Sequence, residues 1–283
     1  MEENLQHFIA EAFKEDIGPG DYSTLCCIPA SQKGKAVLKI KQAGILAGMN
    51  VAEKIFAFTE PDAVFHTFKK DGEPIQSGEE AFTVGAHIHT ILKCERLVLN
   101  CMQRMSGIAT LTRVYADKLQ GYHTKILDTR KSTPNFRLLE KEAVRIGGAI
   151  NHRFGLYDMI MLKDNHIDYC GGIIPAIEKA WTYLQENNLP LQIEVETRSL
   201  DDVEKVAAHA KGKVFRIMLD NFSPENISAA LKITNNNFET EASGGINLDN
   251  IISFAETGVD YVSVGALIHQ AKSLDLSLKA VFN

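Results

Sequence analysis

Ile126-Leu127-Asp128-Thr129-Arg130-Lys131, Met159-Ile160-Met161-Leu162-Lys163-Asp164-Asn165-His166 and Ile193-Glu194-Val195-Glu196 share one pattern: a short apolar run ending in residues able to do chemistry. The pattern recurs in Ile217-Met218-Leu219-Asp220-Asn221, in Thr240-Glu241-Ala242-Ser243-Gly244-Gly245 and in Val262-Ser263-Val264-Gly265. Helix-like stretches separate the runs at roughly 20–35 residues, the rhythm of repeated βα units on a parallel sheet. Parallel strands carry functional groups at their carboxyl ends, where the βα loops converge. Six units are fewer than the eight of a closed TIM barrel. A six-stranded or partly open barrel and an open doubly wound sheet both fit this rhythm, and periodicity does not separate them.

Outward from this repeat, the first hundred residues read differently. Met1–Asp16 is acidic and amphipathic, with Leu5, Phe8, Ile9, Ala12 and Phe13 on one helical face. It lacks the basic start and long apolar core of a signal peptide. Residues 18–24 read as a loop. Strand-like pieces follow at Lys35–Ile40, Ile45–Ala47, Val64–Lys69 and Ala81–Gly85, with turn signals at Asp71-Gly72 and Ser77-Gly78. A short helix over Val51–Phe58 interrupts them. The sum is an α+β domain with an antiparallel sheet. From Ile88 to Leu119 the spacing is helical, and Gly107 is expected to divide it into two helices. The tail, Leu274–Phe282, is apolar enough to pack back. No Gly/Ser-rich linker separates the halves.

With 283 residues and 45% hydrophobic content, the chain supports a sizeable core in one or two domains. A net charge of −6 argues against a nucleic-acid or membrane-surface binder. No run of about 20 apolar residues is present to span a membrane. The five cysteines contain no CxxC pair, so a reducing cytoplasm is expected and each thiol is read as a small buried hydrophobe. A zinc site is not expected, because no Cys/His set at zinc spacing is visible.

Three groupings stand out against that acidic background. Arg130, Lys131 and Lys163 end two successive strands, and Asn151-His152-Arg153 lies in the connection between them. Arginine forks match carboxylate and phosphate oxygens two at a time, so convergent cations imply a polyanionic substrate. Arg137, Lys141 and Arg145, four apart, are read instead as a solvated helix face. Glu194 and Glu196 share side-chain parity on one strand, and Asp220 ends the next. Inward carboxylates must be paired or bind a metal. For Glu194 an ion pair with the basic group weighs as much as a functional role. Finally, Ser243-Gly244-Gly245 and Gly265 end the last two strands, where backbone N–H groups cradle phosphate in βα barrels. A cationic clamp, metal-capable carboxylates and a glycine cradle together point to a phosphorylated substrate plus a second polyanion.

These residues resemble the quinolinate phosphoribosyltransferase family over nearly the whole chain. The resemblance rests on Glu15–Thr24, Glu95–Asn100, Gln103–Thr110, Asp128–Lys131, Gly147–Arg153, Lys163–His166, Glu194–Glu196, Leu219–Asn221 and Glu241–Ile246. One departure is local: the family has Thr-x-Pro-Gly-Leu-Arg where this chain reads Ser132-Thr133-Pro134-Asn135-Phe136-Arg137. The resemblance implies a reaction joining quinolinate to phosphoribosyl pyrophosphate with Mg2+, releasing pyrophosphate and CO2 and leaving nicotinate mononucleotide. It implies an N-terminal α/β sandwich over 1–110, to which the tail 270–283 returns, and a C-terminal open six-stranded βα barrel over 111–269. It implies that Arg130, His152, Arg153 and Lys163 hold quinolinate with Arg96 joining them, that Thr129 binds substrate, and that Lys131 and Lys163 reach the ribose or its phosphates. Glu196 and Asp220 would bind ribose hydroxyls and magnesium; Ser243, Gly244, Gly245, Ser263 and Gly265 would receive the 5-phosphate. Lys131, Lys163, Glu196 and Asp220 are thus the expected catalytic set. The family further implies a homodimer in which Arg96 serves the neighbouring subunit's site. Intact Glu196, Asp220 and Lys163 speak against a non-catalytic binding protein, and two further rivals are a paralogue of the molybdenum-transport-associated type and a Schiff-base lyase using Lys163. The dicarboxylate clamp argues against the first, and Asp164 with the neighbouring cations argues against the second.

Overall fold

The computed structural model describes residues 2–282; Met1, the start of the expected first helix, and Asn283, the end of the expected tail, lie outside them. The chain forms two compact units, one of Met1–Arg113, Ser132–Gly148 and Leu267–Asn283, the other of Val114–Lys131 and Ala149–Ala266. In chain order the elements begin with α1 (Glu2–Ile17), α2 (Tyr22–Cys27), β1 (Lys33–Ile40), β2 (Gly44–Ile45) and α3 (Met49–Thr59). β3 (Val64–Thr67), β4 (Pro74–Ile75), β5 (Glu80–His87) and α4 (Ile88–Lys118) follow. Next come β6 (Lys125–Leu127), α5 (Arg137–Gly147), β7 (Ile160–Leu162), α6 (Asp164–Cys170), α7 (Ile173–Glu186) and β8 (Ile193–Thr197). The chain closes with α8 (Leu200–His209), β9 (Arg216–Asp220), α9 (Pro224–Thr234), β10 (Glu239–Ser243), α10 (Ile251–Ala255), β11 (Tyr261–Ser263), α11 (Ala266–His269) and β12 (Leu276–Val281).

The first unit is built on an antiparallel sheet of order β12-β1-β5-β3, with β2 and β4 paired separately. Leu38 of β1 faces Leu278 of β12 on one side and Phe82 of β5 on the other. All three are buried. α3 lays Ile55 and Phe56 on this core, and the Phe56 and Phe82 rings meet edge-on at 6.3 Å. Each such burial contributes about 1.5–3 kcal/mol. The apolar tail is therefore a sheet strand, not a loose cover. α1 buries Leu5, Ile9 and Phe13, three of the five residues on its expected face. α2 interrupts the expected loop because Asp21 caps it, accepting from the Thr24 backbone N–H at 3.2 Å.

Gly107 does not divide α4, which runs unbroken for 31 residues. A Cβ at this position would stand 2.0 Å from the Lys272 carbonyl oxygen. The glycine marks a close backbone approach of the tail, not a helix end.

The second unit holds six strands in the order β6-β11-β10-β9-β8-β7, and the pairs within it are parallel. All six apolar runs of the repeat form these strands. Neighbours follow chain order without a reversal, and the first strand of the set lies beside the last. A doubly wound sheet would show a switch point. This is a barrel left open between β6 and β7.

Candidate active site

Strand register gives the site its layers. Glu194, Arg216 and Glu239 lie side by side at one level of β8, β9 and β10. Glu196, Met218, Glu241 and Tyr261 form the next level along these strands and β11. Asp220 pairs with Ser243 beyond that, at the carboxyl ends. Side chains two apart share a face, so these layers line one surface.

At the outer level Lys163 and Asp220 are partly exposed, while Glu196 and Ser243 are buried. Lys163, which ends β7, keeps 48% of its side chain exposed and places Nζ 3.5 Å from Oε2 of Glu196. Glu196 also accepts from the Asp164 backbone N–H at 3.4 Å. A Schiff-base lysine needs a desolvated pocket or a cationic neighbour. A half-exposed lysine beside a carboxylate is the opposite arrangement. Asp220 accepts from Ser243 Oγ at 2.5 Å through one oxygen and from Asn221 Nδ2 at 2.7 Å through the other. Behind them the chain turns sharply. Gly244 has φ +98°, and a Cβ there would meet Asn221 Oδ1 at 2.2 Å, so only glycine fits. Gly245 has φ +63° and open space around its Cβ direction, which leaves its backbone approachable. Ser263 donates to the Ala242 carbonyl at 3.4 Å, and Gly265 lies two residues past the end of β11.

Arg130 and Lys131 are exposed just past β6, where the Lys131 N–H donates to Thr129 Oγ1 at 3.1 Å. Arg153 is buried and donates to the Met159 carbonyl at 3.0 Å. Burial, and then the charge of Arg130 nearby, hold its guanidinium below the usual range. Arg96 is exposed on α4, in the first unit.

His152 departs from the expected mouth position. Its side chain is only 6% exposed, with Nε2 at 2.9 Å from Glu194 Oε2 and 3.2 Å from Glu241 Oε2. Burial opposes charging of the ring, but the hydrogen bonds to Glu194 and Glu241 outweigh it and push it up to about 9. Burial, and then the charge of Glu241, push the Glu194 carboxyl up to about 7. Glu241 moves below its ordinary value, because its contacts with His152 and Arg216 outweigh its burial. The two carboxyls titrate as one system, with Glu194 shifted up and Glu241 shifted down. Arg216 completes the group, 3.1 Å from Glu241 and 2.8 Å from Glu239.

Arg216, Glu241 and Asp128 were not singled out from sequence. Asp128 is buried and accepts from the His152 backbone N–H at 2.7 Å. The signal was available in the period-two spacing of Arg216-x-Met218-x-Asp220 and Glu239-x-Glu241-x-Ser243, which puts all six on one face. Lys141 is buried rather than solvated, as is its neighbour Glu140, which is paired with Arg104 at 2.9 Å; only Arg145 of that trio is exposed. Cys26 and Cys27 are exposed rather than buried, Cys94 and Cys101 are buried, Cys170 is intermediate, and all five are free. A groove of about 720 Å³ lined by Trp181, Phe215, Phe238, Glu239 and Asp260 sits at the amino ends of β8–β11. No helix among the described residues is long and apolar enough to cross a membrane.

Comparison with known proteins converges on one family. Residues 21–106 match the quinolinate phosphoribosyl transferase N-terminal domain and residues 108–279 its C-terminal domain. The chain is 42% identical over 289 residues to the chloroplastic nicotinate-nucleotide pyrophosphorylase [carboxylating] of Arabidopsis thaliana, covering 98% of this chain and 82% of that one. It is 43% identical over 275 residues to the probable nicotinate-nucleotide pyrophosphorylase [carboxylating] of Bacillus subtilis, covering 97% and 91%. Among solved structures, NadC from Streptococcus pyogenes superposes with a TM-score of 0.91 at 39% identity, covering 100% of this chain and 99% of that one. The layered open barrel, its cationic mouth and these matches agree: the chain belongs to the quinolinate phosphoribosyltransferase family.

Proposed function

We propose that this chain joins quinolinate to the ribose of phosphoribosyl pyrophosphate and releases CO2, making nicotinate mononucleotide for NAD synthesis. The observation that carries this reading is the composition of one barrel mouth. Arg130, Lys131, Arg153 and Lys163 gather there with Glu196, Asp220 and the Gly244-Gly245 turn. The names of the related proteins point the same way.

In this reading Arg130, Arg153 and Lys163 pair with the two carboxylates of quinolinate, with Thr129 beside them. The ring nitrogen attacks C1 of the ribose as the C1–O bond to pyrophosphate breaks. Positive charge grows on the ribose in that step, and Glu196 and Asp220 stand on the strand ends beneath it. Lys131 and Lys163 neutralise the departing pyrophosphate. The carboxylate next to the ring nitrogen then leaves as CO2. Its bonding electron pair stays on the ring carbon beside the cationic nitrogen and takes a proton from solvent. Ser243, Gly244, Gly245, Ser263 and Gly265 receive the 5-phosphate through backbone N–H groups and hydroxyls. Little covalent work falls to the protein; it positions two polyanions and supplies charge.

Magnesium suits the donor set. Glu196 and Asp220 offer hard oxygen ligands on adjacent strands, the one or two carboxylates such an ion takes when phosphates supply the rest. When bound, it would add charge neutralisation at the pyrophosphate. Arg96, exposed on α4, is assigned to the quinolinate clamp of a neighbouring subunit in a two-fold dimer. The cytoplasm is the proposed compartment, supported by five free thiols. The deciding test is turnover of quinolinate and phosphoribosyl pyrophosphate by the purified protein, followed as nicotinate mononucleotide formed. No product with both substrates and Mg2+ present refutes the reading.

A further inference from the structure

The barrel is open between β6 and β7, and the segment Ile150–Arg153 is hydrogen-bonded to residues at both edges of the opening. It is stitched to β6 by its backbone: Ile150 N–H donates to the Ile126 carbonyl at 2.9 Å, and Asp128 N–H donates to the Ile150 carbonyl at 3.1 Å. Arg153 reaches the other edge, donating to the carbonyl of Met159 at 3.0 Å, one residue before β7. Between these two attachments His152 turns inward. Its Nδ1 lies 2.6 Å from the Arg153 backbone nitrogen, and its Nε2 faces Glu194 and Glu241. Both ring nitrogens are thus committed to protein groups. That arrangement suits a peg holding the segment in place.

We infer that the buried carboxylates Glu194 and Glu241, balanced by Arg216, position His152 and through it set the place of Arg153 in the quinolinate clamp. The inference rests on the function proposed above. Two buried carboxylates are costly, and well-packed apolar residues would be as stable at this depth. Their use here is geometric. They stand on strands β8 and β10, 2.9 and 3.2 Å from one ring nitrogen. Supporting residues of this kind hold a functional group within about 0.5 Å of its working position. His152, Glu194 and Glu241 also place one ligand atom each within 4.8 Å of one another, a geometry open to a metal ion. The charge count favours the peg. Arg216, 3.1 Å from Glu241 and 3.9 Å from Glu194, already supplies a cation there.

The test is a split between the two substrates. Glu241→Gln keeps the size and loses the charge. Its KM for quinolinate, and its Kd for quinolinate alone by calorimetry, should rise about tenfold, while KM for phosphoribosyl pyrophosphate stays within about twofold. Ile227→Ala, in the barrel's outer layer of helices, supplies the control; it should lower the melting temperature and leave both KM values alone. If Glu241→Gln fails to fold, Glu194→Gln is read in the same way. A variant that melts early yet binds quinolinate like the wild type overturns the inference and leaves the cluster as core. Tight one-to-one Zn2+ binding that disappears in Glu241→Gln overturns it in favour of a metal centre. Wild-type turnover is measured alongside. Its absence refutes the proposed function itself, whereas an active enzyme without the split refutes only this inference.

Discussion

Glu194 and Glu196 sit on one strand, two residues apart and on the same face, yet belong to different regions of the barrel. The inner layer around Glu194 is closed and self-neutralising, with His152, Glu241 and Arg216 in mutual contact. The outer layer around Glu196 has exposed cations, Arg130, Lys131 and Lys163, at the carboxyl ends of the strands. Depth along the strand separates the two. One step of the pleat, about 6.6 Å, moves a carboxylate from a fully enclosed layer to one that is still buried but lies beside the exposed Lys163. Inside, a charge that is not matched is expensive, so the layer is matched. At the rim water screens the excess, and an anionic substrate can supply the balance.

Removing a carboxylate from the outer layer is expected to have the largest effect. Asp220→Ala should lower kcat/KM by about a thousandfold, because its charge acts where the transition state becomes cationic. Full activity in excess chelator would break the companion claim that magnesium binds here. In the inner layer the corresponding loss is one of stability. Arg216→Ala leaves buried carboxylates uncompensated and should cost about 3–5 kcal/mol, read from denaturant unfolding. An unchanged unfolding midpoint would mean the inner layer is not the closed electrostatic unit described.

Substrate choice sharpens the contrast further. If the outer cations are balanced by substrate, nicotinate, with one carboxylate, leaves part of the clamp unpaired and should react about a hundredfold more slowly than quinolinate. Equal turnover of the two would show that the rim cations serve another purpose. The smallest effect concerns Arg96. Inactive Arg96→Ala and Lys163→Ala subunits, mixed under conditions that exchange protomers, should regain about a quarter of wild-type activity, since half the dimers then carry one intact shared site. Mixed dimers without activity would place Arg96 outside the partner's clamp.

Gly107 shows how a residue's local meaning changes with its neighbours. Glycine inside a helical pattern is a breaker by propensity, at about 1 kcal/mol against alanine. Here the Lys272 carbonyl occupies the space of a Cβ, and the long helix α4 carries on through the position. His152 teaches the same lesson at the site. Its place in Asn151-His152-Arg153, between two cationic strand ends, reads as a mouth residue, while the carboxylates that turn it inward lie 42 and 89 residues away along the chain.

What the amino-acid sequence by itself determined is periodic or local. The six apolar runs, their polar ends, the antiparallel first half and the glycines of the turn after β10 all follow from spacing and from the conformations single residues allow. Only the tertiary structure decided where the barrel opens, which carboxylate is neutralised by which cation, and how deep each lies. Those outcomes depend on contacts between distant segments, and burial changes the free energy of a charge far more than any difference in its neighbours along the chain.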